Sequence, residues 1–107
     1  MTQNLFGKEV NQNLELEKDF QERVSHYARL KGWHIYSVPD SRRASLAGFP
    51  DLTMFRHGQL VFAELKREKG RVSDAQKLIL AELELIPCAK VYLWRPSDWD
   101  DIVLALK

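Results

Sequence analysis

A chain of 107 residues with a formal net charge of +1, 45% hydrophobic and 29% charged, is sized for one globular domain with a single core. No apolar run approaches the roughly 18 residues that a membrane helix needs, and the polar N-terminus lacks the basic-then-apolar pattern of a secretory signal. The single cysteine, Cys88, excludes an internal disulfide and a thiolate zinc site, and is read as a small buried hydrophobe of a cytoplasmic protein.

Residues 1–13, rich in Asn and Gln, read as a flexible leader, and 14–107 as the single domain. A helix is expected from Leu14, with Leu16, Phe20, Val24 and Tyr27 or Ala28 recurring at three- and four-residue spacing until Gly32 stops it. Glu17 shares or borders that apolar face, because Phe20, Gln21, Val24 and Ala28 follow it at helical spacing. A carboxylate there costs stability unless something pairs with it; the alternative is a boundary residue reaching solvent at the positive end of the helix dipole.

The aromatic and branched run Trp33 to Val38 reads as a strand. Pro39 to Gly48 is too long for a simple turn. It reads either as a solvated loop or as a phosphate-contacting arm with Arg42, Arg43 and Ser45 as donors.

Pro50 to Arg56 and Gln59 to Lys66 form two strands around His57-Gly58. If those two residues make the hairpin turn, Arg56 faces Gln59, Phe55 faces Leu60 and Asp51 faces Glu64. The alternation of side chains then puts Lys66 on the same face as Glu64. An odd loop length would instead separate the two carboxylates, so the inference depends on the turn.

Ser73 and Gln76 supply a capping box for a second helix, with Ile79, Leu80, Leu83 and Ile86 as its apolar face and Pro87 near its end. A strand over Lys90 to Arg95 follows. After Pro96-Ser97 comes a last helix with Asp98, Asp100 and Asp101 in its first turn and Trp99, Ile102, Val103 and Leu106 inward. The order is αβββαβα, and one mixed sheet flanked by helices is expected. The stretch 31–71 carries Lys31, Arg42, Arg43, Arg56, Lys66, Arg67, Lys69 and Arg71 against Asp40, Asp51, Glu64 and Glu68, which gathers positive charge around the hairpin where it would attract phosphate.

Two carboxylates opposed across a hairpin repel unless something neutralises them. A divalent cation does so directly. Magnesium takes oxygen ligands, and Asp51, Glu64 and a main-chain carbonyl such as that of Leu65 are the candidate donors, with Glu17 as an outer-sphere or second-metal contact. Lys66 beside them is placed to orient or help deprotonate an attacking water and to offset phosphorane charge. His26, His34 and His57 have no partner spacing and read as surface or turn residues.

Glu17 with Gln21, then Gly48-Phe49-Pro50-Asp51-Leu52, Glu64-Leu65-Lys66, Gly70 and Ser73-x-x-Gln76 together resemble the VRR-Nuc family of the PD-(D/E)xK nuclease superfamily. The resemblance runs from Glu17 to roughly Arg95. It implies an α/β, restriction-endonuclease-like αβββαβ core and a magnesium- or manganese-dependent site made of Asp51, Glu64, Lys66, Glu17 and Gln76. Gln76 owes that role to the resemblance, since capping explains it equally well. The implied activity is that of the stand-alone phage or bacterial type: a homodimeric, structure-selective DNA endonuclease acting on four-way (Holliday) junctions in DNA repair or recombination, with Arg42, Arg43, Ser45, Arg67, Lys69 and Arg71 as DNA contacts. A flap or single-strand endonuclease and a non-catalytic branched-DNA-binding module remain open alternatives.

Overall fold

The computed structural model describes residues 12–38 and 45–107. Most of the expected leader, together with Arg42 and Arg43 of the proposed arm, lies outside the described residues. The elements are α1 (Glu17–Leu30), β1 (His34–Ser37), β2 (Leu52–Arg56), β3 (Gln59–Leu65), α2 (Asp74–Glu84), β4 (Ala89–Trp94), a short 3-10 turn (Pro96–Asp98) and α3 (Trp99–Leu106). They form one four-stranded sheet in the order β1-β2-β3-β4. The first three strands are antiparallel and β4 runs parallel to β3, so α2 is the crossover that a parallel pair requires. The αβββαβα order and the mixed sheet are as expected.

Helix α1 starts later than Leu14 because Leu16, in an extended conformation, is its N-cap. Gly32, at φ +86°, ends it by adopting the left-handed conformation that glycine tolerates. Its stripe of Phe20, Val24, Tyr27 and Ala28 is buried on one face of the sheet against Leu52 and Met54 of β2 and Val61, Ala63 and Leu65 of β3, with Trp33, Trp94, Trp99, Ile102 and Leu106 completing the core. Trp33 Nε1 donates to the Leu106 carbonyl at 2.8 Å, which satisfies the buried indole and ties α3 to the start of β1.

Arg56 closes the far end of that layer. Its guanidinium lies 4.4 Å from the Trp33 ring centroid and donates to the carbonyls of Lys31 at 2.7 Å and Lys107 at 2.9 Å. This corrects the expectation that Lys31 and Arg56 add to a basic field at the site. Arg56 stands at the turn end of the hairpin, five residues or about 16 Å of strand from Asp51.

Two further expectations change. Of the apolar residues assigned inward on α2, Leu80 alone is buried; Ile79 and Leu83 are half-buried and Ile86 is exposed. Cys88 is exposed as well, because it sits in the turn that leaves α2 before β4 begins.

Candidate active site

The turn at His57-Gly58 fixes the site. Both residues have positive φ, 49° and 78°, as the tightest two-residue hairpin turn requires, and the register follows: Arg56 pairs with Gln59, Phe55 with Leu60, and Leu52 with Ala63. One step beyond Leu52, Asp51 stands opposite Glu64. Main-chain bonds hold the two carboxylates in place. Leu65 N–H donates to Asp51 Oδ2 at 2.9 Å, and Asp51 N–H donates to Glu64 Oε1 at 3.3 Å. The N–H and C=O of an extended residue point toward the same neighbouring strand, so the Leu65 carbonyl also faces the Asp51 side.

Lys66 Nζ lies 3.6 Å from Glu64 Oε2, on the face expected for it. Gln76 reaches the same oxygen. Its Nε2 donates to Glu64 Oε2 at 2.8 Å, while its Oε1 accepts from Ser73 N–H at 2.8 Å and its own N–H donates to Ser73 Oγ at 3.1 Å. The capping box and the contact to Glu64 are therefore one construction, in which the first turn of α2 is aimed at the carboxylate pair.

Gly48 makes that approach possible. At φ +86°, a Cβ built on it would lie 2.5 Å from the Ala75 carbonyl oxygen and 2.8 Å from Gln76 N. Only glycine lets the Gly48-Phe49-Pro50-Asp51 segment run this close to the α2 N-terminus. Phe49 packs edge-on against Phe62 at 5.8 Å between centroids, seating the segment on the face of the sheet that carries Glu64.

Glu64 is 2% exposed, and its pKa is pushed up to about 8 by burial and by repulsion from Asp51, with Lys66 opposing. Burial raises Asp51 too, against the lowering effect of the Leu65 N–H. Glu17 is raised by its own burial and by the charge of Asp51, with Lys66 and Arg67 pulling the other way. The field of Asp51 therefore reaches the start of α1. Among the described residues no three His, Cys, Asp or Glu side chains group closely enough to form a metal cage.

Beyond Lys66 the chain turns through Arg67 to Arg71, held by a residue the sequence did not point to. Arg95 Nη1 lies 2.7 Å from the Arg67 carbonyl, 3.0 Å from that of Glu68 and 2.8 Å from that of Gly70. Turning these carbonyls inward onto one guanidinium leaves Arg67, Lys69 and Arg71 exposed. Ser45, before the Gly48 approach, is exposed as well. A groove of about 630 Å³ begins at Glu17 and follows α1 past Gln21, Ser25 and Arg29 to Ser37 and Val38 at the end of β1.

Comparison with known proteins bears on the fold. No family model matches the sequence, and no curated protein matches it. A solved structure described as a VRR_NUC domain superposes with a TM-score of 0.67 at 16% sequence identity, over 85% of this chain and 97% of that one. The chain thus has the fold of a VRR-Nuc domain, an α/β restriction-endonuclease-like architecture.

Proposed function

We propose that this chain is a VRR-Nuc family nuclease, a metal-dependent endodeoxyribonuclease that hydrolyses phosphodiesters in branched DNA and resolves four-way junctions as a homodimer. The observation that carries the reading is the convergence of Asp51, Glu64, Lys66 and Gln76 at one end of the β2-β3 hairpin, with main-chain and amide donors fixing the carboxylate oxygens. The likeness to a VRR_NUC domain supports it.

The donor set suits magnesium or manganese. The buried Glu64 opposite the half-buried Asp51 keeps a proton near neutral pH for want of enough positive charge, and a hard divalent ion takes one or two carboxylates, a carbonyl and waters. Asp51, Glu64 and the Leu65 carbonyl would hold the ion, which would supply charge neutralisation at the phosphate and a more acidic water. The chain's own groups do the rest. Lys66 orients the attacking water and offsets the charge that gathers on the phosphoryl oxygens, Gln76 fixes one Glu64 oxygen, and Glu17 extends the negative field on the α1 side. Ser45, Arg67, Lys69 and Arg71 meet flanking phosphates, an attraction that weakens with salt. Two matched cuts in a junction call for two sites related by a two-fold axis, which a dimer of small domains supplies.

The test is cleavage of end-labelled four-way junction, flap, single-strand and linear duplex by wild type, Asp51→Asn and Lys66→Ala, in magnesium, manganese and EDTA. Symmetric junction cuts are expected in either metal. Losses of at least ~100-fold are expected for both variants. Cleavage unchanged by EDTA or by Asp51→Asn would refute the metal-centred mechanism. Preference for the flap or single strand would move the substrate, and binding without products would leave a DNA-binding module.

A further inference from the structure

Helix α2 is eleven residues long, and Leu80 is its one buried residue. Helices this short draw their stability from packing, yet Leu78 is 65% and Leu85 75% exposed. With exposed Ala81 between them, they recur at i, i+3 and i+7 and so form one outward stripe. Exposed Lys77 and Glu84, also seven residues apart, run along one flank of that stripe.

We infer that this stripe is the surface on which two copies of the chain associate, α2 packing antiparallel on α2 about a two-fold axis near Ala81. The inference rests on the homodimer reading above and gives it a location. A two-fold axis normal to the helix pair keeps each flank on its own side while reversing direction. Leu78 then meets the second copy's Leu85, and Lys77 meets the second copy's Glu84, each contact made twice. A parallel pair would turn the flank that carries Lys77 and Glu84 toward the second copy's opposite flank, so the Lys77–Glu84 pairing belongs to the antiparallel arrangement. Ala81 at the axis permits close approach of the backbones. Glu82, on the opposite flank, meets its own counterpart near the axis and opposes the association.

The arrangement reaches the site, since the first turn of α2 holds Glu64 through Gln76. The two Gln76 residues fall on opposite sides of the axis, about 15 Å apart along the helix direction at 1.5 Å per residue. Docking would rigidify the element that steadies each carboxylate pair.

The experiment is sedimentation equilibrium of the full chain in EDTA and without DNA, so that it is independent of any cleavage. Wild type is expected at twice the 12.5 kDa chain mass. Leu85→Glu should raise the dimer dissociation constant at least ~100-fold with an unchanged far-ultraviolet dichroism spectrum. Lys77→Glu should raise it at least ~10-fold, Lys77→Glu with Glu84→Lys should restore it, and Glu82→Gln should tighten it. A wild-type monomer at 100 µM, or a dimer indifferent to Leu85→Glu and Lys77→Glu, would overturn the inference. A chain that assembles this way but cuts no DNA would instead defeat the nuclease reading and leave the interface standing.

Discussion

The Gln76 side-chain amide donates to Glu64 Oε2 at 2.8 Å while its carbonyl oxygen closes the capping box of α2. The orientation of that amide follows from its partners. Ser73 N–H can only donate, so the Gln76 atom facing it must be the acceptor Oε1, which leaves the Nε2 donor for Glu64 Oε2. One side chain thus couples helix stability to carboxylate position. Gln76→Glu separates the two: it keeps an acceptor for the cap but sets a carboxylate oxygen against Glu64. Cleavage should fall at least ~10-fold, while the helix keeps its cap. Ser73→Ala should do the reverse, costing about 1 kcal/mol of stability with a smaller effect on cleavage. Urea denaturation and cleavage measured side by side on the two variants check the separation.

The raised Glu64 pKa makes the metal-free protein sensitive to base. Its value near 8 in the fold lies above the ordinary 4.5, so between those pH values the native state binds more protons than the unfolded chain. Stability contributed by the protonated carboxyl is complete below about pH 4.5 and is lost as pH climbs toward 8. Asp51 shifts in the same direction. Thermal melts in EDTA should therefore show a falling Tm from pH 5 to 8. Glu64→Gln should flatten the slope, and added magnesium should flatten it by binding the ionised native state. A wild-type Tm rising over that range would contradict the assignment.

The hairpin was legible because its geometry is local. His57-Gly58 sets the register, and the register alone brings Asp51, Glu64 and Lys66 together. Helix α1 and α3 were legible through their buried stripes, and the Ser73 box through its spacing. Residues whose roles depend on distant chain were not. Arg95 looks like the end of a strand until its reach to Arg67, Glu68 and Gly70 is seen, and Arg56 looks like one more cation until it is found bonded to Lys31 and Lys107. On α2 the inward set Ile79, Leu80, Leu83 and Ile86 fitted the expected period, but Leu78 and Leu85 follow the same period on the other side. Periodicity cannot tell which of two apolar stripes the sheet covers.

Among the described glycines, Gly48 leaves the least room for a side chain. Alanine there would carry both the strain of a left-handed backbone and a Cβ 2.5 Å from the Ala75 oxygen. The neighbour is backbone at the start of a helix, so relief requires Asp51 and Gln76 to move apart. Gly48→Ala should cost about 2–5 kcal/mol, the sum of the conformational and overpacking costs, and should lower cleavage further than its loss of stability explains. Gly58 also has positive φ, but nothing lies within 4 Å of a Cβ built there. Gly58→Ala should therefore cost about 1–2 kcal/mol of conformational strain. Denaturation midpoints of the two variants, compared at equal slope, test the difference.

Arg95 gives the last prediction, because it acts on the proposed phosphate contacts through the backbone of the turn that carries them. Its Nη1 gathers three carbonyls of the 67–70 turn, and Ser97 N–H donates to Glu68 Oε1 at 2.9 Å from the adjoining segment. Removing the guanidinium leaves those carbonyls to water and frees the turn that carries Arg67, Lys69 and Arg71. Arg95→Ala should speed amide hydrogen exchange across residues 67–71 while leaving β2 and β3 protected. DNA affinity should fall about 3–10-fold from the ordering that binding must then supply. Arg95→Lys keeps the charge but loses the planar fork, and should behave more like alanine than like wild type. If instead the affinity loss in Arg95→Ala came with unchanged exchange and was rescued by lysine, Arg95 would be acting as a charge on the DNA rather than as a clamp on the turn.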